Sequence, residues 1–548
     1  MGGGGDYHHQ PRHCVALSLF ILVSATLALL AYVACSPVPG GAAAGGLYQW
    51  WRWQGSAGTS SAELIRTHVD DGARSGVART PTSLSHIVFG IGGAARTWGH
   101  RRGYVELWWR PGQTRGHVWL DEEPASPWPA ATSPPYRVSA DASRFGRRAS
   151  ASRMARIVAD SFAAVVTAAN GTVGEDGGGE VRWFVMGDDD TVFFPDNLVT
   201  VLRKYDHEEM YYVGAPSESV AQDAAHSYGM AFGGGGFAVS YPAAAELAKA
   251  FDRVDGGCLD RYRDLFGSDE RVHACLSELG IPLTREPGFH QLDFRGDAYG
   301  FLAAHPVAPL VSLHHLDLIQ PISPHGGTSL DAVRSLVDAA RHDPARTLQQ
   351  TFCYHHDDGG RTWSVSVAWG YTAQVYSWAV PAHELEVPLQ TFESLRKTTA
   401  DGLFVFNTRP WRPADSACAR PLTFFLSRVR NETAAAAATV TEYTRHAVGK
   451  PPEKECDMPG FRSATAVRTV RVLAPKMDPR DWHRELSAPS MFSGTTAALL
   501  RDREGWAGHG SGGADTARRC GSHLLQTGNT IPNNMAVSIA YTEYLLIA

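Results

Sequence analysis

Three consecutive carboxylates, Asp188, Asp189 and Asp190, close the apolar run Arg182-Trp183-Phe184-Val185-Met186-Gly187 and lead into Thr191-Val192-Phe193-Phe194. Adjacent like charges repel and cost stability unless a cation sits among them, so the run points to a hard divalent ion and, with it, a phosphate-bearing ligand. Alternation along extended backbone sends Asp188 and Asp190 one way and Asp189 the other. A solvated acidic turn is the plainer alternative, and the apolar flanks argue against it.

Two chemistries use such a cluster. One is that of haloacid-dehalogenase phosphatases, whose Asp-x-Asp-x-Thr/Val motif matches Asp188-Asp189-Asp190-Thr191-Val192 letter for letter. That fold opens with its aspartate strand, whereas here a long strand-and-helix pattern comes first. The other is nucleotide-sugar transfer, in which aspartates hold manganese against a diphosphate leaving group and the ion neutralises the charge that builds there. Asp188 and Asp190 then belong to the metal motif, and Asp188 and Asp189 border the nucleotide.

Three further segments carry candidate chemistry. Gly233 to Gly236 lie between strand-like residues, and Gly234 and Gly235 permit close backbone approach to a cofactor; the run lacks the Gly-Lys-Ser/Thr ending of a phosphate-binding P-loop. A plain flexible turn is the competing reading. In Ser268-Asp269-Glu270-Arg271-Val272, Ser268 is the expected N-cap of a helix stopped by Gly280 and Pro282. Asp269 and Glu270 fall in its first turn, where the dipole favours ionised acid. Either carboxylate could take a proton from an attacking hydroxyl, or simply stabilise the helix. Finally, His290, His305, His314 and His315 follow within a short span. Manganese accepts imidazole beside oxygen, so His290 or His314 could complete the coordination that Asp190 begins.

The elements that must position these groups alternate in type. His86 to Ile91 reads as a buried strand, Tyr104 to Trp109 as a helix, Gly116 to Leu120 as a second strand, and Ala151 to Ala169 as a helix with Arg153 and Arg156 on its outer face. Pro195-Asp196-Asn197 opens the next helix, which places the acids on a strand-to-helix connection. Such alternation predicts an α/β fold around a mostly parallel sheet with ligands at the strand ends. After about Thr347 the texture changes: Thr362 to Tyr371 and Ala466 to Leu473 alternate apolar and polar residues, as in an antiparallel sheet. Its aromatic residues suit packing better than glycan binding.

Among 548 residues, a net charge of -6 and 19% charged residues leave no basic footprint, so nucleic acid is not an expected partner. Val15 to Cys35 is an uncharged apolar stretch of roughly 31 Å at helical rise, about one bilayer core. A cleavable signal peptide is the alternative, with Ala31 to Ser36 supplying a processing site. Arg12 on the N-terminal side places that end in the cytoplasm and the bulk in the lumen. The sequons at Asn170 and Asn431 agree with that side, and six luminal cysteines permit disulfides, Cys258 with Cys275 being the closest pair. The expected organisation is a tail over 1–14, an anchor over 15–35, a Gly/Ser/Pro-rich stem over 36–80, a catalytic domain over 81–328, a β-rich extension over 329–487 and a disordered tail over 488–548.

Taken together, Trp183-Phe184-Val185-Met186-Gly187-Asp188-Asp189-Asp190-Thr191, the Gly233 to Ser240 run, Ser268-Asp269-Glu270, Gly288-Phe289-His290-Gln291 and Ser312-Leu313-His314-His315-Leu316-Asp317 resemble the Fringe-related branch of glycosyltransferase family 31. The last two phrases are those of its plant members, the domain of unknown function 604. The resemblance spans about residues 85 to 325 and continues loosely to about Arg484. It implies a Rossmann-like GT-A fold, a UDP-sugar donor, manganese, a glycan or glycoprotein acceptor, inversion at the anomeric carbon, usually a β-1,3 linkage, and a type II protein of the Golgi membrane. By the same resemblance Asp269 is the base, although Glu270 stands where Fringe has a second aspartate, and either His290 or His314 is the metal-binding histidine. A catalytically silent glycan-binding or scaffold protein on the same fold is the rival reading.

Overall fold

The computed structural model describes residues 80–169, 179–252, 257–304, 309–356, 361–395, 402–411, 417–432, 438–446, 456–479, 490–493 and 536–541. The tail, the apolar stretch Val15 to Cys35, the stem, Asn170 and His305 lie outside them. No helix among the described residues is long and apolar enough to cross a membrane.

Eight strands and the helices between them build the first layer. They are β1 Ile87–Gly92, β2 Arg115–Leu120, β3 Tyr136–Val138, β4 Trp183–Asp188, β5 Val192–Phe193, β6 Tyr212–Gly214, β7 Phe237–Ser240 and β8 Leu283–Arg285. Seven of them form one sheet in the order β3-β2-β1-β4-β7-β6-β8, and only β7 runs against its neighbours. The acid-bearing strand is therefore central, in register with β1 so that Gly92 stands beside Asp188. Both faces of the sheet are covered. Ile87, Phe89 and Ile91 of β1 and Trp183 and Val185 of β4 enter one apolar cluster, while Val88, Phe184 and Met186 enter the other. This two-sided burial explains the near-continuous apolar runs, since neither face meets water and each large side chain contributes about 2 kcal/mol by leaving it.

Helix α1 spans Ala95–Trp108, starting nine residues before the expected Tyr104, because polar Arg96 to Arg102 mask its first turns in the sequence. Helix α2, Ala149–Ala169, lays Ile157, Val158 and Ala155 against the sheet. Arg153 is not on its outer face as the pattern predicted. Its guanidinium turns inward and donates to the carbonyls of Trp119 and Gly93 at 3.0 and 2.9 Å, satisfying the ends of β2 and β1. The chain continues with α3 Pro195–Leu202, α4 Val220–Ala225, α5 Tyr241–Phe251, α6 Cys258–Arg261 and α7 Ser268–Glu278. A small second sheet, β5-β11-β9, joins Val192–Phe193 to β9 Phe289–His290 and β11 Ser312–Leu313, with β10 Phe294–Gly296 between them in sequence. It brings the histidine segments to the end of the acid turn.

The C-terminal half holds an eight-stranded sheet. In spatial order its strands are Ser490–Ser493, Gln350–His356, Thr362–Ala368, Thr372–Tyr376, Leu422–Asn431, Ala438–His446, Val467–Pro475 and Ala536–Tyr541. Two of these come from the tail expected to be disordered. The period-2 pattern Ala536-Val537-Ser538-Ile539-Ala540-Tyr541 is the local signal that the surrounding Gly/Ser/Thr bias hides. Trp363, Trp369 and Tyr371 are buried, so the aromatic residues of these strands serve packing. Cys418 pairs with Cys456 and Cys258 with Cys275.

Candidate active site

Beyond the C-terminal end of β4 the backbone turns at Asp189 and Asp190 before β5 begins. Thr191 fixes this turn: its hydroxyl accepts the Asp188 N–H at 2.8 Å and donates to the Gly234 carbonyl at 2.7 Å. The side chains divide as alternation requires. Asp188 and Asp190 face His314, whose Nε2 lies 3.7 Å from Asp188 Oδ2 and 3.1 Å from Asp190 Oδ1. Asp189 points instead to Arg101 of α1, whose guanidinium is 3.1 Å from both Asp189 and Asp190. Arg101 carries no signal in the sequence, because one arginine in a basic helix start looks like any other.

One oxygen from Asp188, one from Asp190 and a nitrogen of His314 lie within 4.8 Å of one another, the only such group of three among the described residues. Two carboxylates and an imidazole are a donor set suited to a divalent ion of intermediate hardness. The electrostatics fit one as well. Burial first, then repulsion from Asp190, Asp189 and Asp269, pushes Asp188 well above the usual carboxylate range. Burial also works against Asp190, yet the His314 hydrogen bond and charge and the Arg101 guanidinium bring it below the usual carboxylate range; burial in turn lowers His314, which favours its neutral ring, so Arg101 is the lasting positive charge. Burial and Asp190 raise Asp189 to about 6 in spite of Arg101.

His290 does not join this group. It is in register with Leu313, and alternation along β11 turns Leu313 and His314 to opposite sides. His290 is buried against Glu218, with Nδ1 2.9 Å from Oε1 and the ring edge-on to Phe301, and burial lowers it to about 3. Burial raises Glu218 to about 8. His315 instead lies against His314 with the rings tilted by 32° and centroids 3.9 Å apart, and its Nδ1 lies 3.1 Å from buried Asp293.

The glycines meet protein where the sequence led us to expect cofactor. A methyl added at Gly234 would stand 2.1 Å from the His314 ring, so this residue is bare to let the imidazole in. Gly235 donates its N–H to Gln291 at 2.6 Å, and its carbonyl accepts from Ser312. Gly236 takes φ +86°, which a side chain would resist.

Helix α7 brings the remaining acids. Its N-cap is Gly267, one residue before the expected Ser268, because Glu270 reaches back to accept the Gly267 N–H at 2.9 Å. Glu270 also pairs with His226 at 2.7 Å. Burial opposes its ionisation, but these two partners hold it below the ordinary glutamate value. Asp269 accepts from Gly233 N and Glu270 N at 3.2 and 3.0 Å, and burial outweighs both, raising its pKa. Asp269 and Asp188 line one cleft with Gly90, Met154 and Gly233. A carboxylate of raised basicity therefore lines the same cleft as Asp188 of the metal-capable cluster.

Residues 136–299 match the family model described as Fringe-like, and residues 222–490 match that described as a protein of unknown function, DUF604. Both matches are consistent with a Fringe-related protein. The site is divided between the two models: Asp188 to Asp190 fall in the Fringe-like match alone, Asp269 and His290 in both, and His314 only in DUF604. No curated protein matches the chain. The Fringe-like match points to glycosyltransferase chemistry in general.

Proposed function

We propose that this chain is a metal-dependent, inverting glycosyltransferase that moves a sugar from a UDP-sugar to a glycan or glycoprotein acceptor, through a β-1,3 linkage, as a type II protein of the Golgi membrane. The observation that carries the reading is the meeting of Asp188, Asp190 and His314, with Asp188 lining one cleft together with Asp269. Asp188, Asp190 and His314 are the residues that would hold manganese, which suits a set of two oxygens and one imidazole nitrogen. Lewis acidity and neutralisation of a departing diphosphate are what such an ion supplies.

The chain's own groups do the rest. Arg101, 40% exposed, places a fixed positive charge beside the acid turn, where a pyrophosphate would otherwise meet net negative charge. Asp269 takes the proton of the acceptor hydroxyl on a carboxylate oxygen while that hydroxyl oxygen bonds to the anomeric carbon. The bond from that carbon to the diphosphate oxygen breaks with its electron pair on UDP, which inverts the centre. The raised basicity of Asp269 favours that proton transfer. Glu270, tied to Gly267 and His226, positions rather than reacts.

The test is UDP release from a panel of UDP-sugars with manganese. Asp190→Ala is expected to lose about 100-fold or more. Undiminished manganese-dependent turnover in that variant overturns the proposal.

A further inference from the structure

Phe266 is the most exposed large apolar side chain among the described residues, at 67%. A lone exposed phenylalanine is ordinary on a protein surface. Its position is not ordinary: it directly precedes Gly267, the cap of the helix that carries Asp269. The ring is also held in place. The Arg148 guanidinium lies 4.9 Å above it, and the His226 ring lies 6.2 Å away at 37°. His226 is itself fixed by Glu270 at Nδ1 and packs edge-on against Phe232. With Nδ1 engaged there, Nε2 is the ring atom left to meet a hydroxyl, and the side chain is 21% exposed. Tyr228, 46% exposed, stands on the same 226–233 segment whose Gly233 N–H meets Asp269.

An aromatic face beside an oriented imidazole is the chemistry that recognises a pyranose ring: axial C–H groups pack on the ring while equatorial hydroxyls take the polar partners. A phenylalanine held by Arg148 and His226, still 67% exposed and three residues before the base in the chain, has a ring available for such a contact.

We propose that Phe266 and His226, with Tyr228 at the rim, form the acceptor subsite, and that the acceptor is an uncharged hexopyranose. This rests on the transferase reading above. Glu270 acts in it as a positioning residue, through His226.

The experiment uses the full chain with manganese, a UDP-sugar and methyl hexopyranosides as acceptors, and reads the ratio of sugar transferred to sugar released to water. In Phe266→Ala that ratio falls about tenfold, and Phe266→Tyr recovers it. Saturation-transfer NMR shows ring protons of the methyl glycoside saturated by the wild type and not by Phe266→Ala. His226→Gln lowers the same ratio. Should Phe266→Ala fail to fold, Phe266→Leu keeps bulk without the ring and is read the same way. An unchanged ratio and unchanged saturation in the ring-less variant overturn the subsite. So does a wild type that hydrolyses the donor but glycosylates no methyl hexopyranoside. A wild type without manganese-dependent donor hydrolysis overturns the transferase reading itself, and is thereby told apart from failure of the subsite.

Discussion

At the scale of single residues, the two acids at the start of α7 do different work despite being neighbours. Asp269 faces the cleft with raised basicity, whereas Glu270 is spent on Gly267 and His226. Asp269→Asn is therefore expected to lower kcat by about 10²- to 10⁴-fold while manganese still raises the melting temperature. Glu270→Gln is expected to cost about 1 kcal/mol through the weakened cap, seen by denaturant titration, with a smaller loss in kcat. Equal losses of kcat in the two variants would contradict this division. The sequence placed both carboxylates in one first turn but offered no means of choosing, because the choice depends on Gly233 and His226, which arrive from another segment. The same holds for the histidines. His290 and His314 look equivalent in the chain, and only the β9-β11 register turns one to the acids and the other to Glu218.

At the scale of elements, the glycine run and the β5-β11-β9 sheet are one device for seating His314. Gly234→Ala is expected to displace the ring, since its methyl would lie 2.1 Å from the imidazole. The manganese-induced rise in melting temperature should then shrink or vanish, while the chelated protein keeps its fold by circular dichroism. The Glu218–His290 pair makes a second prediction. Glu218 rises to about 8 from an ordinary 4.5, so it favours the native state when protonated. Its contribution is complete below about 4.5 and is lost as pH climbs through about 8. Buried His290, lowered to about 3, acts oppositely but has finished titrating above its ordinary 6.5. Between about pH 6.5 and 8 the glutamate term remains, so stability should fall across that window by on the order of a few kcal/mol. Glu218→Gln should flatten the slope in urea titrations; a slope unchanged by it would remove Glu218 as the cause. Continuous apolar runs revealed β1 and β2, which are buried on both faces, and helical periodicity revealed α2 and α7; the pattern missed the start of α1, where the polar residues outnumber the apolar ones.

At the scale of the whole molecule, the boundary drawn at 328 in the sequence is not a boundary in the core. Ile87, Phe89 and Trp183 of the first layer share one apolar cluster with Val333, Leu336, Tyr371, Phe392 and Phe425. The β10 strand pairs with Phe392–Ser394, and Ser219 meets Ser394 at 2.6 Å. A fragment of residues 81–328 is accordingly expected to be insoluble or to lack a cooperative melting transition, whereas the longer chain shows one. A well-folded fragment would refute this. The Cys258–Cys275 bridge joins α6 to α7, and replacing both cysteines with alanine is expected to cost roughly 3 kcal/mol, measured by chemical denaturation. Composition changes near residue 347 made the two textures legible, but texture reports local pairing and says nothing of which surfaces meet.

That shared cluster has a temporal side. A ribosome releases the chain from its N-terminal end, so β1 and β4 emerge well before Phe392 and Phe425. Until those late residues appear, Phe294 and Phe301 have no strand to cover them, and the nascent chain carries a bare greasy surface for many seconds of translation. Chaperone capture during synthesis, and sensitivity of yield to translation speed, follow from where in the gene the missing wall is encoded.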